Sequence, residues 1–150
     1  MRKFHAVTIA AALACICFST GVNAHSGVDP DGWISIKKDV FIKEKSITRP
    51  SDTTVSLWIK VVPGTGTDLL SEARTLLMER DRADLALAYD YTGYLSEIDC
   101  SNNKHRELIA ILYDGNKNII HSVQNEQASW DVIASGSSFE AVQEAVCRFD

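Results

Sequence analysis

Two carboxylates, Glu97 and Asp99, stand two residues apart in a strand-forming stretch. That spacing puts both side chains on one face of a β-strand, where paired carboxylates can share general acid and base work. No nucleophile accompanies them, and two solvated sheet charges is the simpler reading. The histidines add little. His25 lies in a polar leader and His105 in the charged turn Lys104-His105-Arg106. His121 sits between Ile119 and Val123 on a strand, where a half-buried, hydrogen-bonded sheet residue is expected rather than a base. There is no G-x-S-x-G elbow, and Ser135-Gly136-Ser137-Ser138 reads as a turn followed by a helix cap. Metal signatures are absent too: no H-E-x-x-H, no EF-hand loop, no paired CxxC. Asp114-Gly115-Asn116 carries oxygen ligands but fits a hairpin turn, and Gly64-Thr65-Gly66 lacks the lysine of a phosphate loop. The expectation is no catalytic residue, no metal, no cofactor and no enzyme.

Cysteine chemistry depends on compartment, and the N-terminus speaks to that. Arg2 and Lys3 precede an apolar run from Phe4 to Phe18, and Val22-Asn23-Ala24 offers a cleavage pattern. This is the layout of a secretory signal peptide, too short for a membrane span of about 20 apolar residues. Residues 1–24 are expected to leave by cleavage between Ala24 and His25. Ala12-Leu13-Ala14-Cys15 has the residue types of an acylation box in poor order, and Ile16-Cys17-Phe18 carries the apolar run past it. Lipidation at Cys15 is therefore not expected. Cleavage reduces four cysteines to two, Cys100 and Cys147, and moves the formal charge from -5 to -7. In an oxidising compartment two cysteines read as one disulfide. A free thiol pair or a metal site are the rivals, and the lack of CxxC spacing argues against both. An acidic balance with only short basic pairs, such as Lys37-Lys38, argues against nucleic acid as partner.

These residues need elements to position them. Residues 25–32 read as a flexible leader and 33–150 as one domain. Trp33 to Ile36 and Val40 to Ile42 are opening strands. From Thr54 to Val62, Val55, Leu57, Ile59 and Val61 alternate with polar residues, putting the aliphatics on one face and Trp58 on the more polar one. Leu69, Leu70, Ala73, Leu76 and Leu77 then recur at helical spacing. Strands follow at Tyr89 to Cys100, Glu107 to Tyr113 and Ile119 to Gln124, with turns at 101–104 and 114–118. A short stretch crosses at Trp130 to Ile133. Ser137 and Glu140 have capping-box spacing and open a final helix whose stripe is Phe139, Val142, Ala145 and Val146, with Cys147 in its last turn. The fold class is α+β: an antiparallel β-sheet with a C-terminal helix packed on it and held by a disulfide, plus one helix inserted between strands. Among the tryptophans, Trp33 and Trp130 read as packing residues. Trp58 is the candidate for ligand binding, because its strand neighbours are polar.

The order of these features resembles a known family. It comprises Trp33, Ser46-Ile47, Val55-x-Leu57-Trp58-x-Lys60, Glu97-Ile98-Asp99-Cys100, Arg106, Tyr113-Asp114-x-x-Lys117, Trp130, Gly136-Ser137 and Cys147. Together they are similar to the surface-adhesin E family, protein E-like exported domains of Gram-negative bacteria, from Trp33 to Cys147. The resemblance implies a sheet carrying a C-terminal helix on a Cys100–Cys147 bridge. It also implies a non-catalytic surface adhesin that binds host matrix proteins such as vitronectin and laminin and can form a homodimer. It assigns no ligand-binding residue, because no family binding motif is legible. The expected function is thus an exported binding module with a protein partner, from the host matrix or the envelope, located in the periplasm, on the outer-membrane surface or secreted. The alternative is a periplasmic structural or accessory protein without a host ligand. A pocket enclosing Glu97, Asp99 or His121 would point instead to an unfamiliar enzyme or inhibitor.

Overall fold

Side chains that alternate between two environments build the sheet. The computed structural model describes residues 31–64, 68–79 and 83–148. The expected signal peptide and its expected cleavage point at Ala24–His25, Cys15 and most of the expected leader lie outside the described residues. Six strands run consecutively and antiparallel: β1 (Trp33–Lys37), β2 (Val40–Lys43), β3 (Thr54–Val61), β4 (Tyr89–Asp99), β5 (Lys104–Asp114) and β6 (Ile119–Gln124). A two-residue strand β7 (Asp131–Val132) pairs with the start of β5 at Lys104 and His105. Left-handed residues Asp39, Asn103 and Lys117 make the turns of the β1–β2, β4–β5 and β5–β6 hairpins. Short carboxylates stabilise two of these turns. Asp99 accepts from the backbone N–H of Ser101 and Asn102 at 3.0 and 3.1 Å. Asp114 accepts from those of Asn116 and Asn118 at 2.9 and 2.8 Å, the Asx-turn arrangement.

Between β3 and β4 the chain forms two helical segments, α1 (Asp68–Glu79) and α2 (Ala83–Ala86), where one helix was expected. Ala73 and Leu77 of the expected stripe are buried. The side chains of Leu69, Leu70 and Leu76 lie outside the described residues. The last helix, α3 (Ser138–Val146), starts as its sequence predicts: the Ser137 hydroxyl accepts from the Glu140 N–H at 3.1 Å. The return bond differs from an ordinary capping box. Glu140 accepts from the Gly136 N–H at 2.6 Å, one residue upstream of the cap, because the Ser137 N–H is already taken by the Ala134 carbonyl at 3.2 Å.

The helices all cover one face of the sheet. Val55, Leu57 and Ile59 of β3 pack with Val40 and Ile42 of β2, Ile98 of β4, and Val142 and Val146 of α3. The same face, further along at β4 to β6, packs Tyr89, Leu112 and Ile120 against Ala73 and Leu77 of α1 and Ala86 of α2. Apolar burial of this kind contributes about 25 cal/mol per Å². A disulfide joins Cys100, just past β4, to Cys147 at the end of α3, with Cα atoms 5.6 Å apart. Polar ties anchor the helix at both ends: Lys37 Nζ donates to the Gly136 carbonyl at 2.8 Å, and Arg49 Nη2 to the Val146 carbonyl at 3.3 Å.

Candidate functional site

The register fixes what the opposite face presents. Trp58 lies across from Leu95, Lys60 from Gly93, Gly93 from Ile111, and Tyr91 from Tyr113. On the other flank Phe41 pairs with Lys60, and Trp33 with Lys43. None of these residues faces a helix. Trp33, Phe41, Trp58, Tyr91 and Tyr113 are each half-buried. They do not make a polar face, as the sequence around Trp58 suggests, but an aromatic one carrying lysines.

The backbone under Trp58 is held locally. Pairing of β2 with β3 stops at Ile59, so the Trp58 N–H needs another acceptor. The Ser46 hydroxyl accepts it at 2.9 Å and itself donates to the Lys43 carbonyl at 2.6 Å. A one-turn 3-10 helix, Glu44–Ser46, places that serine. Glycine in mid-strand usually weakens a sheet. At Gly93 its missing side chain makes the floor of the site. A Cβ there would sit 3.2 Å from Cε2 of Tyr113 and 3.8 Å from the Trp58 ring, so the two rings converge over bare backbone. Tyr91 stacks on Tyr113 with centroids 4.7 Å apart and planes 14° from parallel. Burial raises the Tyr113 hydroxyl above its ordinary pKa. Burial and then the neighbouring Tyr113 do the same for Tyr91. Both therefore stay protonated, able to donate and accept, at neutral pH.

Lys60 reaches into this array. Its ammonium lies 4.6 Å from the Phe41 ring centre, 5.2 Å from Trp33 and 5.6 Å from Tyr91, distances at which ring quadrupoles attract a cation. Lys43 Nζ lies 5.6 Å from the Trp33 ring. Asp31 and Lys117 form an ion pair at the rim. The cleft so enclosed has a volume of about 370 Å³.

The sequence-predicted residues separate. Glu97 and Asp99 do not act together. Glu97 is not a solvated charge: its side chain is only 13% exposed, and Arg106 donates to its Oε2 at 2.7 and 2.6 Å. The Arg106 guanidinium in turn lies 4.5 Å from the Trp130 ring, so Trp130 covers an ion pair rather than filling a core. Asp99 is spent on its turn, and the hydrogen bond from the Asn102 side chain holds its carboxyl below the usual range. His121 pairs with Leu112, on the helix-covered face, away from both. His105 belongs to β5 rather than a turn and stacks on Phe139 of α3 at 3.7 Å. Burial lowers its pKa, with Asp131 opposing. Trp33, read as a packing residue, lines the cleft instead, beside Trp58. Among the described residues no three His, Cys, Asp or Glu gather to hold a metal ion, and no helix is long and apolar enough to cross a membrane. Sequence reasoning missed Phe41, Tyr91, Gly93 and Tyr113. Their signal was the odd-numbered parity of Tyr91 and Gly93 in β4, which matters only once the register with Trp58 is known.

The family model for surface-adhesin protein E matches residues 33–148. Among solved structures, the selenomethionine form of Haemophilus influenzae protein E aligns with a TM-score of 0.50 at 11% identity, over 81% of this chain and 89% of that one. Crystal form II of the same protein aligns with a TM-score of 0.49 at 11% identity, over 79% and 89%. At such identity the likeness is one of fold. No curated protein sequence matches the chain.

Proposed function

From a chain that belongs to the surface-adhesin protein E family, we propose an exported, non-catalytic binding module that engages a protein of the host matrix through its uncovered aromatic face. One observation carries this reading: a sheet with one face covered by three helices leaves a cluster of half-buried aromatic rings and lysines on the other. Interfaces concentrate their energy in such residues, tryptophan and tyrosine above all. Catalysis is not assigned, since Arg106 occupies Glu97 and the β4–β5 turn occupies Asp99. The proposal includes removal of residues 1–24, a mature start at His25, display at the cell surface, and a homodimer as the working state.

The test uses mature protein on a panel of purified matrix proteins by surface plasmon resonance. Wild type is expected to bind at least one saturably. Trp58→Ala is expected to weaken that binding by about tenfold or more, as loss of a buried interface tryptophan does. Absence of saturable binding, or equal binding by the variant, would count against the reading. Periplasmic rather than surface residence on fractionation would favour the accessory-protein alternative.

A further inference from the structure

We propose that the cleft on the uncovered face takes a carboxylated pyranose, a sugar ring bearing an acid group as in uronic or sialic acids; this rests on reading that face as the binding surface. The walls suit a ring. Trp58 and Tyr113 converge over Gly93 with no side chain between them, and Tyr91 lies parallel behind Tyr113. Flat aromatic plates accept the C–H face of a pyranose, which a branched aliphatic wall does not. The plates combine a large apolar surface with polar tips, and a sugar has the same two characters.

Charge narrows the class. In a chain of formal charge -5, this cleft is lined by Lys43 and Lys117, and the Lys60 ammonium stands beside it over the Trp33 and Tyr91 rings. Lys43 and Lys60 are half-buried residues, and a charge with less water around it attracts an anion more strongly. Asp31, paired with Lys117 at the rim, adds a carboxylate. That acceptor would repel a run of acidic residues but can receive hydroxyl hydrogens. A ligand with one carboxylate and several hydroxyls answers both signs, and an acidic peptide answers only one. Size agrees: about 370 Å³ falls at the small end of ligand clefts, roughly 300–1,000 Å³.

Isothermal titration of the mature protein with three probes tests this: a hyaluronan hexasaccharide, 3′-sialyllactose, and lactose as the neutral control. Saturable binding of at least one acidic probe, with none by lactose, is expected. Binding of hyaluronan alone assigns uronic acids, and of sialyllactose alone sialic acids. Lys43→Gln, which removes a charge from the cleft margin without touching the core, is expected to weaken the acidic probe about tenfold. Added salt is expected to weaken it further. No saturable acidic probe, equal binding of lactose, or an unchanged affinity in Lys43→Gln overturns the proposal. Matrix-protein binding that survives enzymatic removal of the matrix glycans also overturns it while leaving the adhesin reading intact. Acidic-sugar binding without matrix-protein binding supports it and overturns the adhesin reading.

Discussion

At Gly93 the chain gives up a side chain in the middle of its longest strand pairing, and two aromatic rings take the space. The consequence can be tested by restoring bulk. In Gly93→Val the new Cβ meets Tyr113 Cε2 at 3.2 Å, closer than two carbons rest. Tyr113 is half-exposed and its ring can swing outward, so the fold survives. Stability is expected to change by no more than about 1 kcal/mol, as β propensity gained offsets crowding. The Tyr91–Tyr113 stack and the cleft do not survive, so near-UV circular dichroism from the tyrosines should fall and matrix binding should be lost. Retained binding in a folded Gly93→Val protein would place the site elsewhere. At this scale the sequence was only partly legible. Trp58 could be singled out because its strand alternates cleanly. Gly93, Tyr91 and Tyr113 looked like turn-and-strand residues, since their role depends on which residues of β3 and β5 lie beside them.

Among elements, α3 shows how local signals and covalent chemistry combine. Its cap, its stripe and its terminal cysteine were all readable, and the helix sits where they place it, with Val142 0% exposed. The bridge closes a loop of 47 residues, so it restrains the unfolded chain strongly. Cys147→Ser is expected to cost about 2–4 kcal/mol, seen as a melting point lower by roughly 10 °C. Equal melting of both proteins under non-reducing conditions would show that the bridge is no staple. Element boundaries were less legible. Residues 104–106 read as turn because they are charged, yet β5 begins at Lys104, where Arg106 pairs with Glu97 and His105 stacks on Phe139. Long-range partners, invisible in a local window, turn those charges into strand. Helix α2 was missed for a related reason: four residues carry too little periodicity to register, and it persists by burying Ala86 against α1.

The whole molecule is a sheet with two unlike faces, and its stability should follow the groups buried between them. His105 is the group that matters near neutrality. Burial depresses its pKa in the fold, so between its folded and unfolded values the unfolded chain binds more protons. Its contribution is complete above about pH 6.5, the unfolded value, and is lost as pH falls below that. Glu107 runs the other way: burial raises its pKa, so protonation in the fold relieves a cost as pH falls. Asp99 and Asp114, held low by asparagine partners, weaken the fold only in stronger acid, below their unfolded range. The His105 contribution to the melting temperature is expected to fall from about pH 7 to pH 5, with Glu107 opposing it. His105→Phe, which keeps an aromatic ring on Phe139, should flatten that fall, and an unchanged slope in thermal melts would remove His105 as its cause. The fold class was legible at this scale because alternation and helical periodicity report burial directly. Which face stays uncovered was not, since an aromatic face toward solvent and one toward a core have the same composition.

Neighbouring strands in this meander are also neighbours along the chain, and that has a consequence for assembly. The β1–β2, β4–β5 and β5–β6 hairpins can each zip from their own turn, which favours quick formation, whereas β3 and β4 close across the helical excursion between them. After β6, β7 returns to the start of β5 and α3 crosses the ribbon to reach β1 and β2. Thiol oxidation, slower than hairpin closure by orders of magnitude, then locks a docking that packing alone has begun. A newly translocated chain would pass through a stage in which the ribbon is complete and its lid still open, exposing Leu57 and Ile59 to any chaperone waiting outside the cytoplasm.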